Sequence, residues 1–207
     1  MGKGCLITFE GGEGSGKSTQ IELLYKKLNK IGYEVVLTRE PGGTKIGKKI
    51  RELLLNSDNK NMDFKTEILL YAADRAQDIK ENIKPALKAG KIVLADRYVD
   101  STIIYQGYGR QLDVDRIRKI NEWVIRNFWP DLTIILDIEV EKGLKRAREI
   151  SLKKDRLEEE VVEFHERIRQ GFLNLAEKEE RCQVFQADQD REQLHSRIIK
   201  KVRERLL

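Results

Sequence analysis

Eight consecutive residues of this 207-residue chain, Gly11-Gly12-Glu13-Gly14-Ser15-Gly16-Lys17-Ser18, are of the types needed to hold a polyphosphate. Glycines let successive backbone N–H groups turn inward around phosphate oxygens, where a Cβ would obstruct them. Lys17 carries a point charge to the β and γ oxygens, and the Ser18 hydroxyl, with Thr19 behind it, can ligate Mg²⁺. The pattern G-x-x-x-x-G-K-[ST] is matched in full. With glycine at roughly 7% of residues, its four fixed positions arise by chance in fewer than about one chain in a hundred of this length. A second group suited to anions follows downstream. Asp96-Arg97-Tyr98 offers a carboxylate for magnesium-bound water and a guanidinium able to grip a phosphate bidentately, with Ser101, Thr102, Tyr105 and Gln106 just beyond. Tyr71 and Arg75 stand four apart, on one face of a helix, and suit the stacking and hydrogen bonding of a pyrimidine. Taken alone, an Asp-Arg pair also reads as a surface ion pair, and an aromatic at helical spacing as core.

The elements that must position these groups alternate. Cys5-Leu6-Ile7-Thr8-Phe9 is an apolar run ending in the glycine-rich turn, hence a buried strand. Ile21, Leu24, Tyr25 and Leu28 recur at helical spacing until Gly32. Further strands are expected at Tyr33 to Leu37, Ile92 to Ala95, Leu132 to Leu136 and, more weakly, Val184-Phe185. Helices are expected around Ile46, Ile50, Leu53 and Leu54, over Ile68 to Ala76 and Lys84 to Lys88, and over Leu112 to Arg126. Strands separated by helices imply right-handed βαβ crossovers. The expectation is one domain over residues 1–207, a three-layer α/β/α architecture with a five-stranded parallel sheet. Ligands of such sheets bind beyond the carboxyl ends of the strands, where the glycine-rich loop and Asp96 both fall. Residues 139–181 are highly charged; the stretch from Ile150 to Glu160 reads either as a mobile flap or as part of a solvated helix pair.

Composition narrows the class. Charged residues make up 36% of the chain against roughly 25% in globular proteins, and the net charge of +5 favours an anionic partner. Basic residues are interleaved with acids throughout, which argues against the continuous basic stripe of a nucleic-acid binder. Two cysteines in strand-like stretches, the lack of a secretory signal and of any apolar run near ~20 residues lead to the expectation of a cytoplasmic protein with no membrane contact. His165 and His195 fall in expected surface helices and are not assigned to chemistry.

Four stretches carry a resemblance that runs through nearly the whole chain: Phe9 to Thr19, Thr38-Arg39-Glu40-Pro41-Gly42-Gly43-Thr44, Leu70-Tyr71-Ala72-Ala73-Asp74-Arg75, and Asp96-Arg97-Tyr98 leading to Tyr105-Gln106-Gly107. Together they resemble the thymidylate kinases, nucleoside monophosphate kinases of the P-loop nucleoside triphosphate hydrolase fold. The resemblance implies transfer of the ATP γ-phosphoryl to dTMP, with Mg²⁺, by a homodimer in which the helix from Asp113 to Phe128 contributes to the interface. It further implies that Gly11 to Thr19 hold the donor, and that Ser18 and Asp96 hold the metal. By the same resemblance Tyr71 is expected to stack on thymine, Arg75 to donate to the base, Thr102 to face it and Tyr105 to crowd the sugar 2′ position. Arg97 is expected to clamp the acceptor phosphate, Arg51 and Gln106 to contribute to the pocket, and Glu13 to lie near the sugar hydroxyl and the acceptor phosphate. Gly14 stands where some members carry a catalytic arginine, Tyr71 where many carry phenylalanine and Ile104 where alanine is common. The cations are then expected from a lid at about residues 146–158, which resembles the bacterial type. Arg148 and Arg156 are its catalytic candidates, with Arg146 beside them and Lys153 or Lys154 standing in for an arginine that Ile150 replaces. The alternatives at this point are a kinase for another nucleoside monophosphate and a nucleic-acid-binding P-loop ATPase. Lys17 is expected to face solvent until a nucleotide arrives.

Overall fold

The computed structural model describes residues 4–150 and 156–206. Lys153, Lys154 and Asp155 of the expected lid lie outside the described residues. Three apolar runs rich in Ile, Leu and Val form the inner strands because such residues fill a pleated layer covered on both faces, and two part-exposed segments form the edges. They are β1 (Cys5–Glu10), β2 (Val35–Arg39), β3 (Ile92–Asp96), β4 (Leu132–Asp137) and β5 (Cys182–Gln186), all parallel in the order β2-β3-β1-β4-β5. The central strand β1 is buried along its whole length, paired with β3 on one side and β4 on the other. The register Phe9↔Asp96 brings the ends of β1 and β3 level, so the chain leaves both strands at one place.

Helices cover both faces. On one, α1 (Lys17–Lys30) and α9 (Arg191–Leu206) pack Leu24, Leu28, Leu194 and Ile198 against Ile7, Phe9 and Ile134. On the other lie α3 (Phe64–Asp78), α5 (Val99–Thr102), α6 (Val114–Ile125) and α8 (Val162–Lys178), around Ile68, Tyr98, Ile104, Phe164 and Phe172. Around them run α2 (Lys45–Leu55), α4 (Lys84–Lys88) and α7 (Val140–Ile150). The three-layer parallel architecture expected from the sequence is the one observed.

Local departures have physical causes. Strand β2 begins two residues later than expected, because Gly32 takes a positive φ of 95° and Tyr33 is spent on the exit from α1. In α2 only Ile50 and Leu54 of the expected apolar stripe are buried, and Ile46 and Leu53 face outward. The helix α5 widens into a π-helical stretch, Ile103–Gly109, that turns Tyr105 and Gln106 inward. Such π turns recur at functional sites. Residues 139–181 are largely the helix pair α7 and α8, and His165 of α8 is buried rather than on the surface. Among the described residues no helix is long and apolar enough to cross a membrane.

Candidate active site

The loop after β1 is built on backbone only glycine adopts comfortably: φ is +132° at Gly11, +65° at Gly14 and +89° at Gly16. It delivers Lys17 as the first residue of α1, whose unpaired N–H groups and positive dipole end face the space above the loop. Lys17 does not face solvent as expected. It is 8% exposed, and its ammonium folds back to donate to the carbonyls of Gly11 (3.1 Å) and Gly12 (2.8 Å) and the Ser15 hydroxyl (3.4 Å). The reason is desolvation: an ammonium drawn under the loop must replace its water with carbonyl oxygens. Burial, helped by the nearby Arg97 charge, pulls its pKa down to about 8.

Arg97 emerges from β3 with φ +66°, a conformation rare for a side chain-bearing residue and held here by surrounding bonds. Its N–H donates to the Phe9 carbonyl, and its guanidinium donates to the Gly11 carbonyl (3.0 Å) and to Glu13 (2.7 Å). Tyr105 lies 4.8 Å beneath the same guanidinium and donates its hydroxyl to Glu13 at 2.8 Å. Burial works against the Glu13 charge, but Arg97, Lys17 and the Tyr105 hydroxyl outweigh it and hold the carboxyl at about 2. Glu10, at the end of β1, accepts from the Tyr98 N–H (2.8 Å) and the Ser101 hydroxyl (2.5 Å), anchoring the turn that aims Arg97. Burial, with Asp100 nearby, pushes Glu10 up to about 7.

Two adjoining cavities open at this edge of the sheet. The larger, about 670 Å³, is lined by Glu13 through Thr19, Arg39, Asp96 and Arg146 among others. Within it the Ser18 hydroxyl donates to Asp96 at 3.1 Å, a hydroxyl and one carboxylate beside a phosphate cradle. That donor set fits Mg²⁺, which keeps several waters and takes few protein ligands. The smaller cavity, about 160 Å³, is lined by Arg51, Tyr71, Arg75, Arg97, Thr102, Tyr105 and Gln106, so all seven residues expected at the acceptor come together. Glu13, Glu40, Arg51, Arg97 and Glu158 line both.

Not every side chain is disposed as expected. Arg75 is fully buried, lies in an ion pair with Glu40 (2.7 Å) and donates to Asn121 (2.5 Å), the Tyr98 carbonyl (3.1 Å) and Thr102 (3.0 Å). It therefore sets the orientation of Thr102 as much as it faces the cavity. Of the lid arginines, Arg146 lines the larger cavity while paired with Asp188 at 2.8 Å. Arg148 is exposed and is not among the residues lining either cavity. Arg156 is buried, donating to the Leu54 carbonyl (2.9 Å) and to Glu67, away from the phosphate loop. Gly14 faces Gly143 of α7 so closely that a Cβ on either would strike the other's loop or helix backbone, which leaves no room for an arginine at position 14.

Sequence reasoning assigned no role to Glu10, Glu40 or Glu67. Each had a signal: a carboxylate at the last position of a buried strand, just before a proline turn, or in the first turn of an apolar helix. All three are buried acids, and Glu40 and Glu67 pair with buried arginines.

The arrangement is one of two cavities lined by arginines, Lys17 and the glycine-rich loop, meeting at a Glu13–Arg97 pair on a parallel sheet. The family model described as thymidylate kinase matches residues 9–198. A thymidylate kinase of Halothermothrix orenii is 59% identical over 203 residues, covering 97% of each chain, and one of a Sulfurihydrogenibium species is 47% identical over 98% of each. The crystal structure of the thymidylate kinase from Ehrlichia chaffeensis superposes with a TM-score of 0.80 at 37% identity, over 98% of this chain and all of that one. With the cavity pair, the sheet order and these relatives in agreement, the chain belongs to the thymidylate kinase family.

Proposed function

We infer that this protein transfers the γ-phosphoryl group of ATP to dTMP, giving dTDP and ADP. The observation that carries the reading is the junction of the two cavities at Glu13 and Arg97, which supports a donor phosphate and an acceptor phosphate meeting end to end. ATP occupies the larger cavity with its phosphates on the loop from Gly11 to Thr19. The monophosphate lies in the smaller, its base against Tyr71, Thr102 and Gln106 and its phosphate at Arg97, with Arg51 on the common wall.

Transfer asks the protein for alignment and charge neutralisation. The acceptor is already largely dianionic at neutral pH, since its second pKa is near ~6, so no general base is required. Lys17 swings from the Gly11 and Gly12 carbonyls to the transferred group and regains a full charge as phosphate oxygens replace them. Arg97 exchanges part of its hold on Glu13 for the acceptor phosphate, and Glu13 keeps the guanidinium in line. Ser18 and Asp96 would hold Mg²⁺, which would supply charge neutralisation for the donor phosphates. Arg148, exposed on α7, is the further cation assigned to the transferred group. The same reading has the enzyme work in the cytoplasm as a homodimer; Trp123 on α6, 76% exposed, supports a self-association face there.

The test is an acceptor panel. The expected order of kcat/KM is dTMP, then dUMP lower by the roughly 10–200-fold that one methyl contact provides, then the ribonucleotide, which Tyr105 excludes at the 2′ position. Equal values for all three would make this a kinase of broad monophosphate specificity.

A further inference from the structure

The chain that returns from α7 to α8 resembles a lid carrying a catalytic cation at Arg156, yet the structure ties that residue elsewhere. Glu67, in the first turn of α3, is wholly buried and accepts four hydrogen bonds. Gln106 donates at 2.7 Å, Arg110 at 2.8 and 3.1 Å, and the fourth comes from Arg156. Although burial disfavours its charge, these donors hold the carboxyl below its ordinary range.

The cluster reaches in two directions. Toward the lid, Arg156 donates on to the Leu54 carbonyl (2.9 Å), and Arg110 donates to Glu160 (2.8 Å). The segment 156–160 is thus gripped at both ends, and between the grips Leu157 and Glu158 form part of the acceptor cavity wall. Toward the site, Gln106 lines the same cavity. One carboxylate therefore fixes two walls of the acceptor cavity that are far apart in sequence.

We propose that Glu67 is a positioning residue for the acceptor, and that Arg156 acts through it rather than on the transferred phosphoryl group. The proposal rests on the phosphotransferase reading of the two cavities. A guanidinium so placed gives up buried, charge-assisted bonds if it swings toward the phosphates, and the buried Glu67 carboxylate loses one of its four donors. Its contribution is alignment, which appears in acceptor binding rather than in turnover at saturation.

The experiment measures kcat and the KM for dTMP and for ATP in the wild type, Arg156→Met and Arg156→Lys, with thermal melting alongside. Arg156→Met is expected to raise the KM for dTMP about ten- to a hundredfold, with kcat and the KM for ATP within about threefold. Arg156→Lys, which keeps the charge and a donor toward Glu67, recovers part of that KM. If Arg156→Met yields no folded protein, the charge-balanced double variant E67Q/R156M carries the same expectation. A fall in kcat of about a hundredfold with KM unchanged would make Arg156 a catalytic residue and overturn the proposal. Unchanged kinetics with only a lower melting temperature would make the cluster purely structural and overturn it equally. Failure of the wild type to form dTDP would remove the phosphotransferase reading itself, an outcome the unmodified protein reports before any variant is compared.

Discussion

Alanine at position 143 sets two effects of opposite sign against each other. Gly143 lies inside α7, and helix propensity alone favours alanine over glycine by about 1 kcal/mol. The new Cβ, however, would stand well inside 3.0 Å of the Glu13 carbonyl oxygen and 3.1 Å from Ile138 Cγ2. The Glu13 contact is with main chain, so the helix or the phosphate loop must recede by about 1 Å to restore ordinary contact. Overpacking of this kind costs about 1–3 kcal/mol, which cancels or exceeds the propensity gain. The larger effect is on turnover. Glu13 holds Arg97 at 2.7 Å and Tyr105 at 2.8 Å, so moving the loop misaligns the guanidinium proposed to grip the acceptor. A misplacement of this size costs up to about a hundredfold in rate. Gly143→Ala is therefore expected to lower kcat/KM for dTMP by about ten- to a hundredfold, followed by coupled ADP release, while the melting temperature falls or stays level. Glu141→Ala, at an exposed position of the same helix, serves as the control and should remain within about threefold. A Gly143→Ala protein more stable than wild type by about 1 kcal/mol, with full turnover, would show that α7 does not press on the loop and would refute the reasoning.

Lys17→Ala should cost about 10²–10³-fold in kcat while barely lowering the melting temperature, because the ammonium is desolvated in the free protein and its removal relieves that cost; turnover within about threefold of wild type would sink the donor-site assignment. Since Lys17 has a pKa of about 8 when free and regains its charge beside phosphate, ATP binding at pH 8.5 should take up protons and weaken as pH rises further. Calorimetry in two buffers of different ionisation heat reads this directly, and no uptake at that pH would contradict it. Glu10 is raised from about 4.5 to about 7, so the folded state binds more protons than the unfolded one across that interval and stability falls as pH rises through it. Thermal melting between pH 5 and 8 should show Glu10→Gln with a flatter profile than wild type, and parallel profiles would remove Glu10 as the source.

The inner strands β1, β3 and β4 were legible because each is an apolar run closed by a charge, β5 was fainter because two of its five residues are glutamine, and the phosphate loop was legible because its geometry admits few residue types. The acceptor cavity was legible through family stretches rather than periodicity: nothing in the spacing of Tyr71 and Arg75 places them opposite Thr102 and Gln106. What the sequence hid were the partners of buried charges. An ion pair such as Arg75–Glu40 joins residues 35 apart, and Glu67–Arg156 residues 89 apart, so neither leaves a local pattern. Lys17 looked exposed for the same reason, since its burial depends on carbonyls supplied by the turn of the loop. Arg156 looked like a free lid cation because a polar, apolar-poor stretch gives no sign that one of its arginines reaches the core.

The central claim is that phosphoryl transfer runs from ATP across the Glu13–Arg97 junction to dTMP. The most direct measurement incubates the protein with ATP and Mg²⁺ and separates the products, with dTMP, with single-stranded DNA and with neither added. The account predicts ADP and dTDP in equal amounts with dTMP, and little ADP in the other two mixtures. ADP released without dTDP, or stimulated by DNA rather than by dTMP, would contradict it.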